Sequence, residues 1–207
     1  LWGKRAVVED HFNELVIDLV NPAGQPERMQ LVVRGYNDGF AFCYKIPDGE
    51  GPRVNVQSEL TAYNFAGDYT AWFYNGENHN IGPEKLTETD GTRLPVMTVK
   101  AGDKHYMAIH EACKQEHLFL FYNLRGGESL FSVASKPTSL SPGYTSAWRV
   151  VLYGTTPGVL TDSHLLELLN PDPDSRYDFS WVKPGLAVWD WRINGAVWDG
   201  FTYGMSY

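Results

Sequence analysis

The largest group of side chains capable of chemistry lies in the segment HEACKQEH, residues 110–117. In a helix, His110, Cys113 and His117 would share one face at spacings suited to Zn²⁺. The residues from Lys104 onward alternate as in a strand, however, and the sequence contains no second pair of zinc ligands elsewhere. The segment therefore favours a polar strand end followed by a turn, with the zinc site as the weaker alternative.

Glu111 is the most specific candidate in this segment. A strand over residues 104–111 places it on the same face as Met107 and Ile109, so the carboxylate ends an apolar stripe. An unpaired carboxylate is costly to bury, and this one therefore needs solvent, an arginine or a metal cation beside it. The residue pattern leaves these alternatives open.

A short aromatic segment is a candidate for stacking against a sugar ring. Trp72, Phe73 and Tyr74 are followed by the polar residues Asn75 and His79. Aromatic faces suit the apolar faces of sugars, but aromatic residues in a β-rich chain pack more often into its core. Core packing is therefore the favoured interpretation.

The segment SWVKPGLAVWDW, residues 180–191, predicts a change of fold near the end of the sequence. After a Lys-Pro-Gly turn, residues 186–191 form a continuous apolar run typical of a buried parallel strand. Only residues 192–207 follow, too few for a crossover helix and a second strand. We therefore expect one module over residues 1–179 and the first piece of another over residues 180–207.

The rest of the chain is predicted to be mostly β. Segments rich in Val, Ile, Phe and Tyr are separated by frequent turn signals, which favour antiparallel neighbours. The turn Asn-Asp-Gly at residues 37–39 predicts a hairpin, and residues 163–169 predict the one helix, which Pro171 ends. The fold class is therefore all-β, an antiparallel β-sandwich. The predicted strands cover residues 13–20, 30–36, 40–46, 54–62, 95–100, 104–111, 117–122, 130–134 and 148–153.

Composition excludes several classes of partner. With 43% hydrophobic residues the chain can bury a core, and no apolar run reaches the roughly 18 residues that span a bilayer. The net charge of −8 and the lack of a basic cluster argue against binding to nucleic acid. Cys43 and Cys113 are too few for a disulfide framework and do not fix the compartment. No phosphate-binding loop, HExxH motif or GxSxG elbow is present in the sequence.

Five blocks of the sequence, in this order, resemble glycoside hydrolase family 97. They are RGYNDGFAFCYKIP at residues 34–47, LPVMT at 94–98, YMAIHEA at 106–112, AWRVV at 147–151, and SWVKPG with VWDW within 180–191. The first four resemble the N-terminal β-sandwich of that family, and the last resembles its domain junction. The resemblance implies a mutarotase-like supersandwich, here lacking its first strands, followed by a fragment of a (β/α)8 catalytic barrel.

The resemblance also implies the N-terminal portion of a calcium-dependent, exo-acting α-glucosidase or α-galactosidase that hydrolyses oligosaccharides. The catalytic carboxylates of such an enzyme are expected in the barrel beyond Tyr207, so this chain should hold no catalytic residue and be inactive alone. Its partner would be its own catalytic barrel, and its location would be periplasmic or secreted.

Two sites follow from the same resemblance. Glu111 matches a glutamate that the N-terminal domain contributes to a calcium site, which would be incomplete in this chain because calcium takes about six to eight oxygen ligands. Trp189, Asp190 and Trp191 end the expected barrel strand, where barrel enzymes bind their substrates. For these three residues, packing and loop capping are the favoured alternatives.

Two other functions stay open at this point. One is a free-standing carbohydrate-binding or assembly module. The other is a mutarotase-type aldose epimerase, whose acid and base would come from His105, His110 and Glu111. The five family blocks favour the glycosidase over both.

Overall fold

The computed structural model describes residues 4–21, 28–74, 81–89, 92–113, 122–124, 130–133, 137–172 and 174–186. Within these ranges lie thirteen strands, a 3₁₀ turn (Leu86–Glu88) and the helices α1 (Pro157–Asp162) and α2 (Leu165–Leu168). Neither described helix has the length and apolar character needed to cross a membrane. The strands are β1 (Asn13–Val20), β2 (Arg28–Tyr36), β3 (Gly39–Lys45), β4 (Val54–Val56), β5 (Ala62–Asn64), β6 (Thr70–Tyr74), β7 (Ile81–Lys85), β8 (Thr92–Ala101), β9 (His105–Ala112), β10 (Tyr122–Leu124), β11 (Leu130–Val133), β12 (Thr138–Leu140) and β13 (Trp148–Gly154).

Strand β8 connects two layers of antiparallel sheet. Its residues 97–101 pair with β9, whereas residues 92–93 pair with β10. The main layer has the order β1-β2-β3-β13-β9-β8, with β6 and β7 beside β8, and the second layer runs from β8 through β10 and β11 to β5. Strands β4 and β12 form a separate pair. This arrangement is the antiparallel β-sandwich that the sequence predicts.

Two hydrophobic cores lie on opposite faces of the main layer. Strand β13 is buried on both faces, because Val150 and Val151 point in opposite directions and each enters a different core. The core between the layers includes Ala71, Phe73, Leu86, Met97, Val99, Ile109 and Val151, with Tyr63 and Phe65 packed against it. The core on the other face includes Val32, Ala41, Cys43, Ala108, Val150, Leu152, Leu165 and Leu169.

The predictions for β1, β2, β3, β9 and β13 are confirmed, with ends that differ by at most two residues. The predicted helix is confirmed in a shorter form as α2, and α1 before it was missed although Pro157 in its first turn is a helix-start signal. Strands β6, β7 and β12 were also missed. Most of the strand predicted over residues 117–122 lies outside the described residues.

The single strand predicted over residues 54–62 is wrong. The chain forms β4, leaves the extended pairing, and resumes as β5. Glu59, between the two strands, is buried and binds Arg149 of the main layer. From the segment between β4 and β5, the carboxylate of Glu59 thus reaches β13 of the main layer.

The predicted hairpin turn joins β2 to β3 and depends on Gly39. Tyr36 pairs with Gly39 across the turn, and the backbone of Gly39 packs directly on β13. A Cβ atom at residue 39 would lie 2.3 Å from the carbonyl oxygen of Val151. The glycine is therefore required by close approach between neighbouring strands.

By its internal contacts the chain divides into two units. The sandwich unit is Val7–Pro171, and the other unit combines Leu1–Ala6 with Asp172–Tyr207. The sequence-based boundary after residue 179 stays a prediction, and this division falls a few residues before it. The expected first barrel strand begins at Leu186 and otherwise lies outside the described residues.

Candidate functional site

Glu111 lies near the end of β9, directly opposite Arg149 of β13. Both side chains point between the two layers, because Glu111 has the same strand parity as Ile109, which enters that core. The exposed fraction of Glu111 is 8%. The carboxylate therefore lies at the end of an apolar stripe, as strand periodicity predicts.

Arg149 forms a two-pronged ion pair with Glu59. Its Nε donates to Oε1 of Glu59 at 2.9 Å and its Nη2 donates to Oε2 at 2.5 Å. Its Nη1 donates to the carbonyl oxygen of Ala147 at 3.0 Å. The exposed fraction of Arg149 is 0%, so this fork of hydrogen bonds replaces the water that a guanidinium would otherwise bind.

The charge state of Arg149 is fixed by its neighbours. Burial alone would lower the pKa of Arg149, but its hydrogen bonds to Glu59 and the negative charges of Glu59 and Glu111 raise that pKa above its ordinary value. Burial also raises the pKa of Tyr63, which stays a neutral phenol beside this group. The formal charges of these three side chains, here called the Arg149 cluster (Arg149, Glu59 and Glu111), sum to −1.

Glu59 is held in place by two further side chains. The hydroxyl of Thr61 donates to Oε1 of Glu59 at 2.8 Å, and the hydroxyl of Tyr44 lies 3.0 Å from Oγ1 of Thr61. Tyr44 belongs to β3 of the main layer, so this chain of hydrogen bonds also joins the segment between β4 and β5 to that layer. Sequence reasoning missed Glu59 and Arg149, although an arginine inside the apolar block AWRVV is a signal of a buried ion pair.

The Arg149 cluster has the donor chemistry of one part of a calcium site. Carboxylate oxygens are the ligands that a hard cation prefers, and the net charge of the cluster is negative. The described residues contain no group of three or more His, Cys, Asp or Glu side chains that could hold a metal ion. Glu111 could supply one carboxylate ligand to such a site.

The helical zinc arrangement predicted as the weaker alternative is wrong for His110 and Cys113, the two of its three residues that the structure describes. Strand β9 stays extended through Ala112, so His110 and Cys113 do not have helical spacing. The backbone N–H of Glu111 donates to Nδ1 of His110 at 2.7 Å. His117 lies outside the described residues.

The acid and base required of an aldose epimerase are not brought together. His110 and Glu111 are neighbours in a strand and therefore point to opposite faces. His105 lies on the face of Glu111 but six residues away, which is about 20 Å along a strand. Its Nδ1 lies 2.7 Å from the hydroxyl of Tyr153 instead.

The aromatic candidates differ in how much of each side chain is exposed. Phe73 is 1% exposed and belongs to the core between the layers, which confirms the packing interpretation for this residue. Tyr74 is 41% exposed, and Asn75 and His79 lie outside the described residues. Trp189, Asp190 and Trp191 also lie outside them.

Comparison with known proteins identifies relatives of this fold. Residues 1–171 match the family described as Glycosyl-hydrolase 97 N-terminal. The chain is 29% identical over 184 residues to a probable retaining alpha-galactosidase of Streptomyces bingchenggensis, covering 81% of this chain and 27% of that protein. It is 25% identical over 225 residues to a retaining alpha-galactosidase of Bacteroides thetaiotaomicron, covering 89% of this chain and 33% of that protein.

A solved structure has the same fold. A glycoside hydrolase family 97 enzyme in complex with acarbose, from Pseudoalteromonas sp. strain K8, matches with a TM-score of 0.72 at 23% identity, over 89% of this chain and 30% of that one. The chain thus spans a third or less of the length of these relatives. The family match ends at Pro171, where the sandwich unit also ends. Because that match covers most of the sequence, the chain belongs to the glycosyl-hydrolase 97 N-terminal family.

Proposed function

We propose that this chain is the N-terminal portion of a calcium-dependent, exo-acting α-glycosidase that hydrolyses α-galactosides or α-glucosides in oligosaccharides. The observation that carries the proposal is the buried carboxylate of Glu111, at a strand end and in a cluster of net negative charge. The two alpha-galactosidases that this chain resembles support the class of reaction and make an α-galactoside the first substrate to test.

In this proposal the chain supplies one ligand and a rigid support, and the reacting carboxylates lie elsewhere. A bound Ca²⁺ would supply positive charge and an oxygen-coordinating centre at the substrate site. Glu111 would hold one coordination position from β9. Glu59 does not act as a catalytic acid, because both of its oxygens accept hydrogen bonds from Arg149.

The proposal is tested with the full-length enzyme and chromogenic α-galactosides and α-glucosides, assayed in Ca²⁺ and in a chelator. We expect hydrolysis that the chelator abolishes and Ca²⁺ restores. We expect the isolated 207-residue chain to hydrolyse neither substrate, since a glycosidase needs two carboxylates facing the scissile bond.

Two results would contradict the proposal. One is hydrolysis by the full-length enzyme at an equal rate in Ca²⁺ and chelator. The other is turnover by the isolated chain that is lost when Glu59 or Glu111 is changed to glutamine, because that would place the catalytic pair inside the sandwich. Activity that survives changes to every acidic residue of the chain would be traced to a contaminant.

We also propose a periplasmic or secreted location and a catalytic barrel as the partner of the sandwich unit. Both rest on the family to which the chain belongs. Fractionation of the source cells with an antibody against residues 7–171 tests the location, and recovery in the cytoplasmic fraction would contradict it.

A further inference from the structure

We infer that Glu59 is a positioning residue for Glu111, and that it acts by binding and balancing the guanidinium of Arg149, the cross-strand partner of Glu111. The inference rests on the proposed role of Glu111 as a calcium ligand. It assigns a function to the buried ion pair, which lies beside the ligand and is not itself part of the coordination.

The geometry places Arg149 within reach of two carboxylates. Arg149 and Glu111 are direct partners on neighbouring strands with their side chains on one face, where Cβ atoms are about 5 Å apart. Glu59 approaches from the other layer and takes two of the hydrogen bonds that the guanidinium donates. The third goes to the carbonyl oxygen of Ala147. The guanidinium of Arg149 is thus oriented toward Glu59, although Glu111 is its direct partner in the sheet.

Charge explains why this orientation matters. A buried arginine paired with Glu111 would neutralise that carboxylate and place a positive charge beside any cation bound to it. Because the formal charge of Glu59 balances that of Arg149, a cation bound at Glu111 does not meet an uncompensated positive charge. Charges a few ångströms apart interact more strongly in a protein interior than in water, because water screens them less there.

The support around Glu59 indicates that it acts through Arg149 and not by binding the cation itself. Oε1 of Glu59 accepts from Arg149 and Thr61, and Oε2 accepts from Arg149. Tyr44 in turn contacts Thr61. Both oxygens of Glu59 are therefore engaged by residues of the sandwich, in a geometry that fixes the guanidinium.

The test measures the Ca²⁺ dissociation constant of the full-length enzyme by calorimetry. Glu59→Gln should weaken Ca²⁺ binding by about 10-fold to 100-fold, as changes to groups that support metal ligands do. The double variant Glu59→Gln with Arg149→Met should restore the constant to within about threefold, because it removes the positive charge together with its partner. Glu84→Gln is the matched control, since Glu84 also faces an arginine, Arg93, at 3.9 Å. That control should bind Ca²⁺ as the unchanged enzyme does.

Each outcome separates the inference from the proposed function. If Glu111→Gln leaves Ca²⁺ binding unchanged, the proposed ligand is wrong. If Glu111→Gln weakens binding and Glu59→Gln does not, the inference alone is overturned. Weak binding in the double variant would also overturn it, because a direct ligand cannot be rescued by removing Arg149. Thermal unfolding in chelator checks that each variant folds. If Glu59→Gln does not fold, Glu59→Asp replaces it, and it should also weaken Ca²⁺ binding because the shorter side chain cannot keep both hydrogen bonds to Arg149; unchanged binding would overturn the inference.

Discussion

Arg149 and Glu59 are 90 residues apart in sequence and form two side-by-side hydrogen bonds that join the two layers of the sandwich. Neither side chain has appreciable contact with water, since their exposed fractions are 0% and 8%. Desolvating two charges costs nearly as much as their attraction returns, so the pair adds little net stability. Removing only one partner is strongly destabilising, because the other buried charge is then left without its partner.

Arg149→Met should therefore lower the free energy of unfolding of the chain by about 3–5 kcal/mol. Adding Glu59→Gln to this variant should recover much of the loss, because the buried carboxylate that lost its partner is then removed. Urea unfolding of Arg149→Met, Glu59→Gln and the double variant measures the coupling. Arg176→Met is the control: its pair with Asp174 is exposed, with side-chain exposed fractions of 81% and 38%, and the urea midpoint should not change. Equal losses in the single and double variants would contradict this account.

Gly39→Ala should destabilise the β2–β3 hairpin. A methyl group at this position would lie 2.3 Å from the carbonyl oxygen of Val151, so either the turn or β13 must move. We expect a loss of about 1–3 kcal/mol in the free energy of unfolding. Gly35→Ala is the control in the same hairpin, because no atom lies within 4 Å of the added carbon, and its stability should be equal or higher.

These two sites show which parts of the structure the sequence could predict. The hairpin was predictable because its turn residues and its alternating strand are local signals. Strand β7 was missed because Gly82 and Pro83 resemble a turn, and strand pairing overrides that preference. The face on which Glu111 lies followed from strand periodicity, whereas its burial did not. The contact of Arg149 with Glu59 could not be predicted, because the sequence does not show which strands pair or which acidic side chain lies in the interior.

Cys43 should make the stability of the chain depend on alkaline pH. Burial raises the pKa of its thiol from 9.0 to about 11, and its exposed fraction is 1%. Below the pKa of the unfolded thiol, Cys43 is protonated in both states and stability is complete. As pH rises from that value through the pKa of the folded thiol, the thiol of the unfolded chain ionises first, which lowers the free energy of unfolding. Stability should thus fall by about 2 kcal/mol from pH 9 to pH 11 through this group, since the full slope of about 1.4 kcal/mol per unit applies only between the two pKa values.

Comparing the chain with Cys43→Ala isolates this effect. The raised pKa of Tyr63 contributes to both proteins and cancels in the difference between them. Urea unfolding at pH 8, 9, 10 and 11 should show the two stability curves converging as pH rises. Cys113→Ser, at a partly exposed position, is the control and should retain the slope of the unchanged chain. A Cys43→Ala curve parallel to that of the unchanged chain would show that the Cys43 thiol does not titrate differently in the two states.

Ending the chain after Asp178 should leave the sandwich folded and reduce its self-association. Trp181 is 75% exposed and Leu186 is fully exposed, and apolar groups of this kind promote contacts between molecules. The sandwich unit ends at Pro171, so the shortened chain keeps every buried residue of both cores. We expect an unchanged thermal midpoint and a lower apparent mass in light scattering.

A second truncation serves as the control for that experiment. Ending the chain after Asp162 removes α2 and with it Leu165 and Leu169, which are 1% and 4% exposed in the second core. Burying a leucine contributes about 1.5–3 kcal/mol, so this chain should unfold at a clearly lower temperature. If the cut after Asp178 lowers the midpoint as much as the cut after Asp162, and both proteins are monomers like the unchanged chain, residues 179–207 belong to the sandwich and the predicted boundary is wrong.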